Sequence, residues 1–170
     1  SHIQVVNFDN NSTYELEPIR VTDSLLTALS GLPHVHSVST FASKPGIIKT
    51  DSAFHGVIFK GTDYWDYFEA NLVQGRRPES ANEVLLSEEL ASMLSLDIDD
   101  AILCYFIEDD LRVRKLYIVG LYNTCMTEMD KLFVLGDIEV VHRLNNWDVD
   151  QVSGIEVIVD DLRHLEETTD

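Results

Sequence analysis

Basic residues are scarce in this chain: 12 Lys and Arg stand against 30 Asp and Glu, for a formal charge of −18 over 170 residues. A surface of that sign repels polyanions, which argues against nucleic acid as a partner and against a basic patch on anionic headgroups. Long hydrophobic runs are absent as well. No stretch approaches the ~18 consecutive apolar residues of a spanning helix, and no signal-peptide pattern opens the chain. The acidity alone implies solubility, and with 30 acids the close carboxylate pairs carry no catalytic information. The chain starts inside a strand pattern just after Ser1-His2. This is the expectation for a domain excised from a longer protein whose flanking segments are membrane helices.

Cysteine is nearly missing, with only Cys104 and Cys125. Cys104 lies in a strand that turns near Asp109-Asp110, so its cross-strand partner is expected near Lys115 or Leu116. Cys125 is then about nine residues further on, roughly 30 Å at ~3.3 Å per residue. A disulfide needs Cα atoms within ~7 Å, which excludes an intramolecular bridge unless the chain folds back after Asn123. Catalytic signatures are also lacking: there is no Gly-x-Ser-x-Gly, no His-Glu-x-x-His and no phosphate-binding Gly-x-x-x-x-Gly-Lys-[Ser/Thr]. Gly61-Thr62-Asp63 offers a phosphate one glycine and an acid of the wrong sign, which excludes ATP binding at that turn.

What the chain does hold is 45% hydrophobic residues, enough for a packed core. IQVVNF (3–8) reads as a strand, broken by Asp9-Asn10-Asn11-Ser12. Asp23 is placed to cap a helix with Leu25, Leu26 and Leu29 on one face, stopped by Gly31 and Pro33. HVHSVSTF (34–41) alternates, Lys44-Pro45-Gly46 reads as a turn, and 54–60 is a further strand. At the far end VSGIEVIV (152–159) is a strand, and Asp160 or Asp161 caps a short helix through Glu167. These two ends combine into one ferredoxin-like sheet with helices on one side. The expected fold class is α+β. Residues 1–60 plus 150–170 form that porter-like part, and residues 61–149 form an inserted small mixed α+β unit. Within the insert, Ser87 caps the helix EELASML, 101–107 and 112–122 form the clearest hairpin, 131–135 is a strand and 137–144 a helix.

Several residue groups invite a functional reading. His34 and His36 share one strand face, and His55 on a neighbouring strand supplies the third ligand of a candidate metal site. The bland alternative is exposed strand histidines. Asp97-Ile98-Asp99-Asp100 lacks the glycine and the later Glu of a calcium loop, and reads as a solvated turn. Glu108-Asp109-Asp110, with Arg112, is a charged hairpin tip that deters edge pairing; its functional alternative is contact with a partner. Tyr64, Trp65 and Phe68 follow Gly61-Thr62-Asp63 on a short helix-like turn. At helical spacing they cover a seam between the two subdomains, with Gly61 letting the chain turn.

Four segments, in order, resemble the extracytoplasmic domain of bacterial ABC-transporter permeases of the LolC/LolE and MacB type (FtsX-like). GVIFKGTDYWDYFEANLVQGRRP carries a strand, a Gly-x-Asp turn, an aromatic helix and a Gly-Arg-Arg-Pro turn. NEVLLSEELASMLSLDIDD carries Leu90-Ala91-Ser92-Met93-Leu94, with Asp99-Asp100 where the family has Gly-Asp. YIVGLYNTCMTEMDKLFVLGDIEVVHRL carries Val119-Gly120 and Glu128-Met129-Asp130, and VSGIEVIVDD carries Ser153-Gly154-Ile155.

The resemblance implies a non-catalytic domain between two transmembrane helices, on the periplasmic side of the bacterial inner membrane. It implies no cofactor and no catalytic residue, because a separate cytosolic ATPase subunit hydrolyses ATP. A second permease subunit completes such a transporter. The cargo is a lipoprotein, a peptide or a periplasmic protein, with lipoprotein release favoured. The isolated domain is expected to be monomeric. One departure stands out: family members that recruit a periplasmic chaperone use a long, proline-bearing hairpin loop, whereas this loop is Glu108-Asp109-Asp110-Leu111. The rival expectations are a small metal-dependent enzyme using His34, His36 and His55, and a surface assembly or adhesion module.

Overall fold

A computed structural model describes residues 2–6, 16–107 and 110–160; for residues 2, 3, 5, 6 and 67 only the backbone is described. In chain order the elements are β1 (His2–Val6), β2 (Ile19–Arg20), α1 (Asp23–Ser30), β3 (Val35–Lys49), β4 (Phe54–Thr62), α2 (Asp66–Ala70), β5 (Leu72–Gly75) and β6 (Glu83–Ser87). They continue with α3 (Glu88–Leu94), β7 (Ala101–Ile107), β8 (Leu111–Tyr122), α4 (Thr127–Asp130), β9 (Phe133–Asp137), α5 (Ile138–Asn145), β10 (Gln151–Val152) and β11 (Gly154–Val159). The chain is a mixed α+β protein. The expected helix after residue 160 and the turn at 9–12 lie outside the described residues.

The two ends of the described chain meet in the sheet. β11 lies between β1 and β3 and is antiparallel to both, so His2 faces Ile158 and Val35 faces Val159. The two parallel strands β1 and β3 therefore flank an antiparallel neighbour and are joined through α1, the split β-α-β arrangement of ferredoxin-like sheets. Leu26 and Leu29 of α1 pack with Ile155, Val157 and Val159 of β11, which accounts for the leucine spacing in the helix. Its cap is Thr22, whose hydroxyl accepts the Leu25 N–H at 3.1 Å, one residue earlier than the sequence suggests.

Beyond this edge the strand pairings close on themselves. β3 pairs β4, β4 pairs β9, β9 pairs β6, β6 pairs β8, β8 pairs β7, and β7 returns to β3. The ring encloses the largest core cluster, including Ile48, Phe59, Leu86, Cys104, Phe106 and Ile118, with Leu90 of α3 and Val141 of α5 packed against it. β5 extends the sheet beyond β8, and β2 pairs β10 apart from it.

Lys44-Pro45-Gly46, expected as a turn, is continuous strand within β3. The reason is a handover of partners. β3 leaves β11 at Phe41 and meets β7 only at Ile47. Ser43, two residues before Pro45 and on the same side, sends its N–H away from β4 to the Ser153 hydroxyl at 2.9 Å. The Pro45 nitrogen thus faces the gap between β11 and β7, where no ladder bond is lost. Gly46 faces inward, and a Cβ there would lie 2.9 Å from Cys104 Sγ and 3.0 Å from Phe106.

Candidate functional site

The aromatic stretch after β4 settles on the outer side of the ring. Phe68 packs with Leu85, Val119, Tyr122 and Leu135, and Trp65 and Phe133 close over them. The Trp65 and Phe68 rings meet edge-on with centroids 6.2 Å apart. Below them, Tyr122 donates its hydroxyl to the Phe133 carbonyl at 2.6 Å, and burial pushes its pKa up. Asp63 accepts the Thr40 hydroxyl at 3.2 Å, while the Thr62 hydroxyl accepts the Tyr64 N–H at 3.1 Å, so the turn into the cluster is held by side chains. Gly61 is a strand residue paired with Gly136, and its role differs from the expected turn. A Cβ on Gly61 would stand 2.5 Å from Ile138 Cα, because α5 starts directly against β4. The glycine serves close approach.

An ion pair ties this cluster to the chain ends. Lys60 of β4 meets Glu156 of β11 with side chains only 12% and 10% exposed, and the Lys60 ammonium lies 4.9 Å from the Phe41 ring and 5.8 Å from that of Phe68. Buried charges persist when paired and wrapped in this way. Neither this pair nor the buried Lys44, whose ammonium donates to Asn145 Oδ1 at 2.7 Å, was legible in the sequence. Their partners lie about a hundred residues away.

The short motifs resolve into loop clamps. In Gly75-Arg76-Arg77-Pro78, Gly75 has φ +82 and sits against the backbone of β8. Arg76 grips Glu83 with two hydrogen bonds of 2.9 and 2.7 Å, and the Glu79 N–H adds a third at 2.9 Å. The guanidinium holds the Glu83 carboxyl down at about 2. In the Glu128-Met129-Asp130 block, buried Asp130 accepts the Thr124 N–H at 3.0 Å and the Thr124 hydroxyl as well. Asp130 thereby fixes the loop around Cys125, whose φ is +65. Asp99, standing where the family resemblance expects glycine, has φ +75, a conformation that glycine favours and Asp tolerates.

The histidines are not assembled. His55 is opposite Ile48, twelve residues along β3 from His36, a separation on the order of 40 Å. His36 Nδ1 instead lies 3.4 Å from Asp160, and His55 Nε2 is 3.3 Å from the Lys131 carbonyl. No cluster of three or more His, Cys, Asp or Glu able to hold a metal occurs among the described residues. That corrects the expectation of a site built from His34, His36 and His55: His34 stands in the turn before β3 with φ +67, and His55 is far from His36 along the sheet. The two cysteines are unbridged: Cys104 faces Arg114, one residue from the expected register, and is buried, while Cys125 is exposed. Burial raises the Cys104 thiol to about 12.

At the hairpin tip, Glu108 and Asp109 lie outside the described residues. Asp110 and Arg112 are exposed, beside Ile107 and Leu111, which are also exposed. No helix among the described residues is long and apolar enough to cross a membrane.

No protein-family model and no curated protein sequence matches the chain. Solved structures do. The extracellular domain of the ABC-type transporter YknZ from Gram-positive bacteria superposes with a TM-score of 0.60 at 12% identity, over 88% of this chain and 78% of that one. The periplasmic region of MacB from Actinobacillus actinomycetemcomitans gives 0.59 at 16% identity, over 88% and 72%. The chain thus has the fold of the extracytoplasmic domains of these transporters.

Proposed function

We propose that the chain is the extracytoplasmic domain of an ABC-transporter permease, without catalytic residues of its own. In this reading it works on the outer side of the bacterial inner membrane, with a cytosolic ATPase subunit and a second permease subunit. The domain transmits ATP-driven motion of the transmembrane helices to the release of a cargo, lipoprotein release being the favoured form. One observation carries the reading. β1 and β11 are antiparallel neighbours, so the start of the one and the end of the other lie side by side, as two membrane helices leading in and out require.

On the same reading, residues 1–60 plus 150–170 form the part joined to the membrane, and 61–149 the part carried by it. Gly61, Asp63, Tyr64, Trp65 and Phe68 form the join. The buried Lys60–Glu156 pair bolts β11 to β4 within the first part, and the contacts that cross to the second are the Lys60 ammonium over the Phe68 ring and the Thr40 hydroxyl on Asp63. The exposed residues Asp110, Leu111 and Arg112 are the part free to touch a partner.

The test uses the full-length permease with its ATPase subunit in liposomes. Residues 3–160 are replaced by a five-residue flexible linker, which the neighbouring chain ends permit. ATP hydrolysis should stay within about threefold of the intact complex while release of a lipidated protein stops. Continued release would overturn the reading.

A further inference from the structure

Over β9, β6 and the second half of β8, the outer face of the ring is sealed by the aromatic cluster. Over the 47–49 end of β3, β7 and the first half of β8, large apolar side chains lie open instead. Phe54, Ile107 and Leu111 stand 72%, 64% and 60% exposed there. The register draws a row across this bare face: Lys49 faces Leu103, and Leu103 faces Lys115. Directly opposed residues share one side of a sheet, so the order across three strands is lysine, leucine, lysine. Strand spacing of ~4.8 Å puts the outer two about 10 Å apart at Cα. Both lysines border an open cleft of about 700 Å³.

Lys49 and Lys115 are the cations on this face, among 12 on a chain of net charge −18, whereas Arg112 and Arg114 are opposite Phe106 and Cys104 and belong to the other side of the sheet. Among the described residues, Lys49 and Lys115 form no ion pair. Their ammonium groups lie instead 5.9 Å from the Phe54 ring and 5.7 Å from the Tyr117 ring. In a chain with 30 acids, two unmatched cations flanking an apolar side chain are complementary to a partner that is acidic and apolar in the same pattern. Asp51 and Asp100 stand on loops at the cleft rim, and Asp100 already accepts the Asp97 N–H at 2.8 Å. Their charge disfavours a carboxylate at the rim itself, which leaves the lysines of the strand row as the places for one.

We propose that this row is a docking surface for an extended acidic segment of a partner protein, of the pattern Glu-x-Leu-x-Glu. Alternate residues of an extended chain project to one side, so both carboxylates and the leucine face the row together. The carboxylates span about 13 Å at Cα, within reach of two long lysine side chains about 10 Å apart. A single lipid headgroup brings one anionic group beside its tails and does not match two cations with a leucine between. The assignment rests on the surface alone and stands apart from the transporter reading.

The experiment is an NMR titration of the isotope-labelled protein with the capped peptide Ser-Glu-Ser-Leu-Ser-Glu-Ser. Saturable amide shifts centred on Leu103 and Lys115 are expected. Affinity should fall about tenfold for the peptide with Gln at both Glu positions, and about tenfold for the Lys49→Glu/Lys115→Glu protein at unchanged thermal midpoint. Shifts elsewhere, absence of saturation, or full affinity in the charge-reversed protein would overturn the proposal. Lysine-dependent sedimentation with phosphatidylglycerol vesicles in the absence of peptide shifts would overturn it in favour of a lipid surface.

Discussion

Gly61 and Ile138 touch backbone to backbone: a methyl group on Gly61 would lie 2.5 Å from Ile138 Cα and 2.9 Å from its nitrogen. This is how α5 begins directly against β4, with Asp137 still paired to Thr62. The clash is with backbone, which cannot swing aside as a side chain can. Gly61→Ala is therefore expected to cost about 2–4 kcal/mol, read as a lowered midpoint in urea denaturation. Wild-type stability in the variant would mean that the strand and helix are not in this contact.

Trp65 covers the outer cluster beside Phe68. It is only half-buried, so Trp65→Ala should remove about 2 kcal/mol, less than a fully buried aromatic, in the same denaturation assay. A variant of unchanged stability that lost binding of a cargo would turn the cluster into a ligand box.

Glu83 provides a pH signature. Arg76 depresses its carboxyl from the ordinary carboxylate range to about 2, so the stabilisation is complete above the unfolded value near 4.5. It is lost as pH falls through the window from about 4.5 to about 2. Arg76 is half exposed, and screening limits the effect to about 1–2 kcal/mol. Glu83→Gln should be the less stable protein at pH 7, and the difference from wild type should shrink as the pH approaches 2. A constant difference over that window would contradict the clamp.

How much of this was readable beforehand depended on the distance between partners. The hairpin of β7 and β8 was legible because its alternation is local, and Ser87 was legible as a cap because its bond to the Leu90 N–H spans three residues. Pro45-Gly46 misled, since the usual meaning of the pair is a turn. Only the handover of β3 from β11 to β7 explains it as strand, and that handover joins residues over fifty positions apart. Gly61 misled for the same reason: the atom that forbids a side chain belongs to Ile138. The closure of the ring leaves no local trace at all. Lys49, Leu103 and Lys115 become a row only through it.

The two thiols should separate cleanly by reactivity. Cys125 is exposed on its clamped loop, whereas Cys104 is buried within the ring with its thiol raised to about 12. Reaction with a maleimide at pH 7 should consume one thiol promptly and the second only on unfolding. Prompt reaction of both would mean that the ring opens in the native state.

The exposure of Cys125 also supplies the most direct test of the central claim, that this domain faces away from the cytoplasm. In cells producing the full-length protein, a membrane-impermeant maleimide is applied with the cytoplasmic membrane intact and any outer membrane permeabilised. The account predicts labelling that disappears in the Cys125→Ser protein. Labelling that required rupture of the cytoplasmic membrane would contradict it.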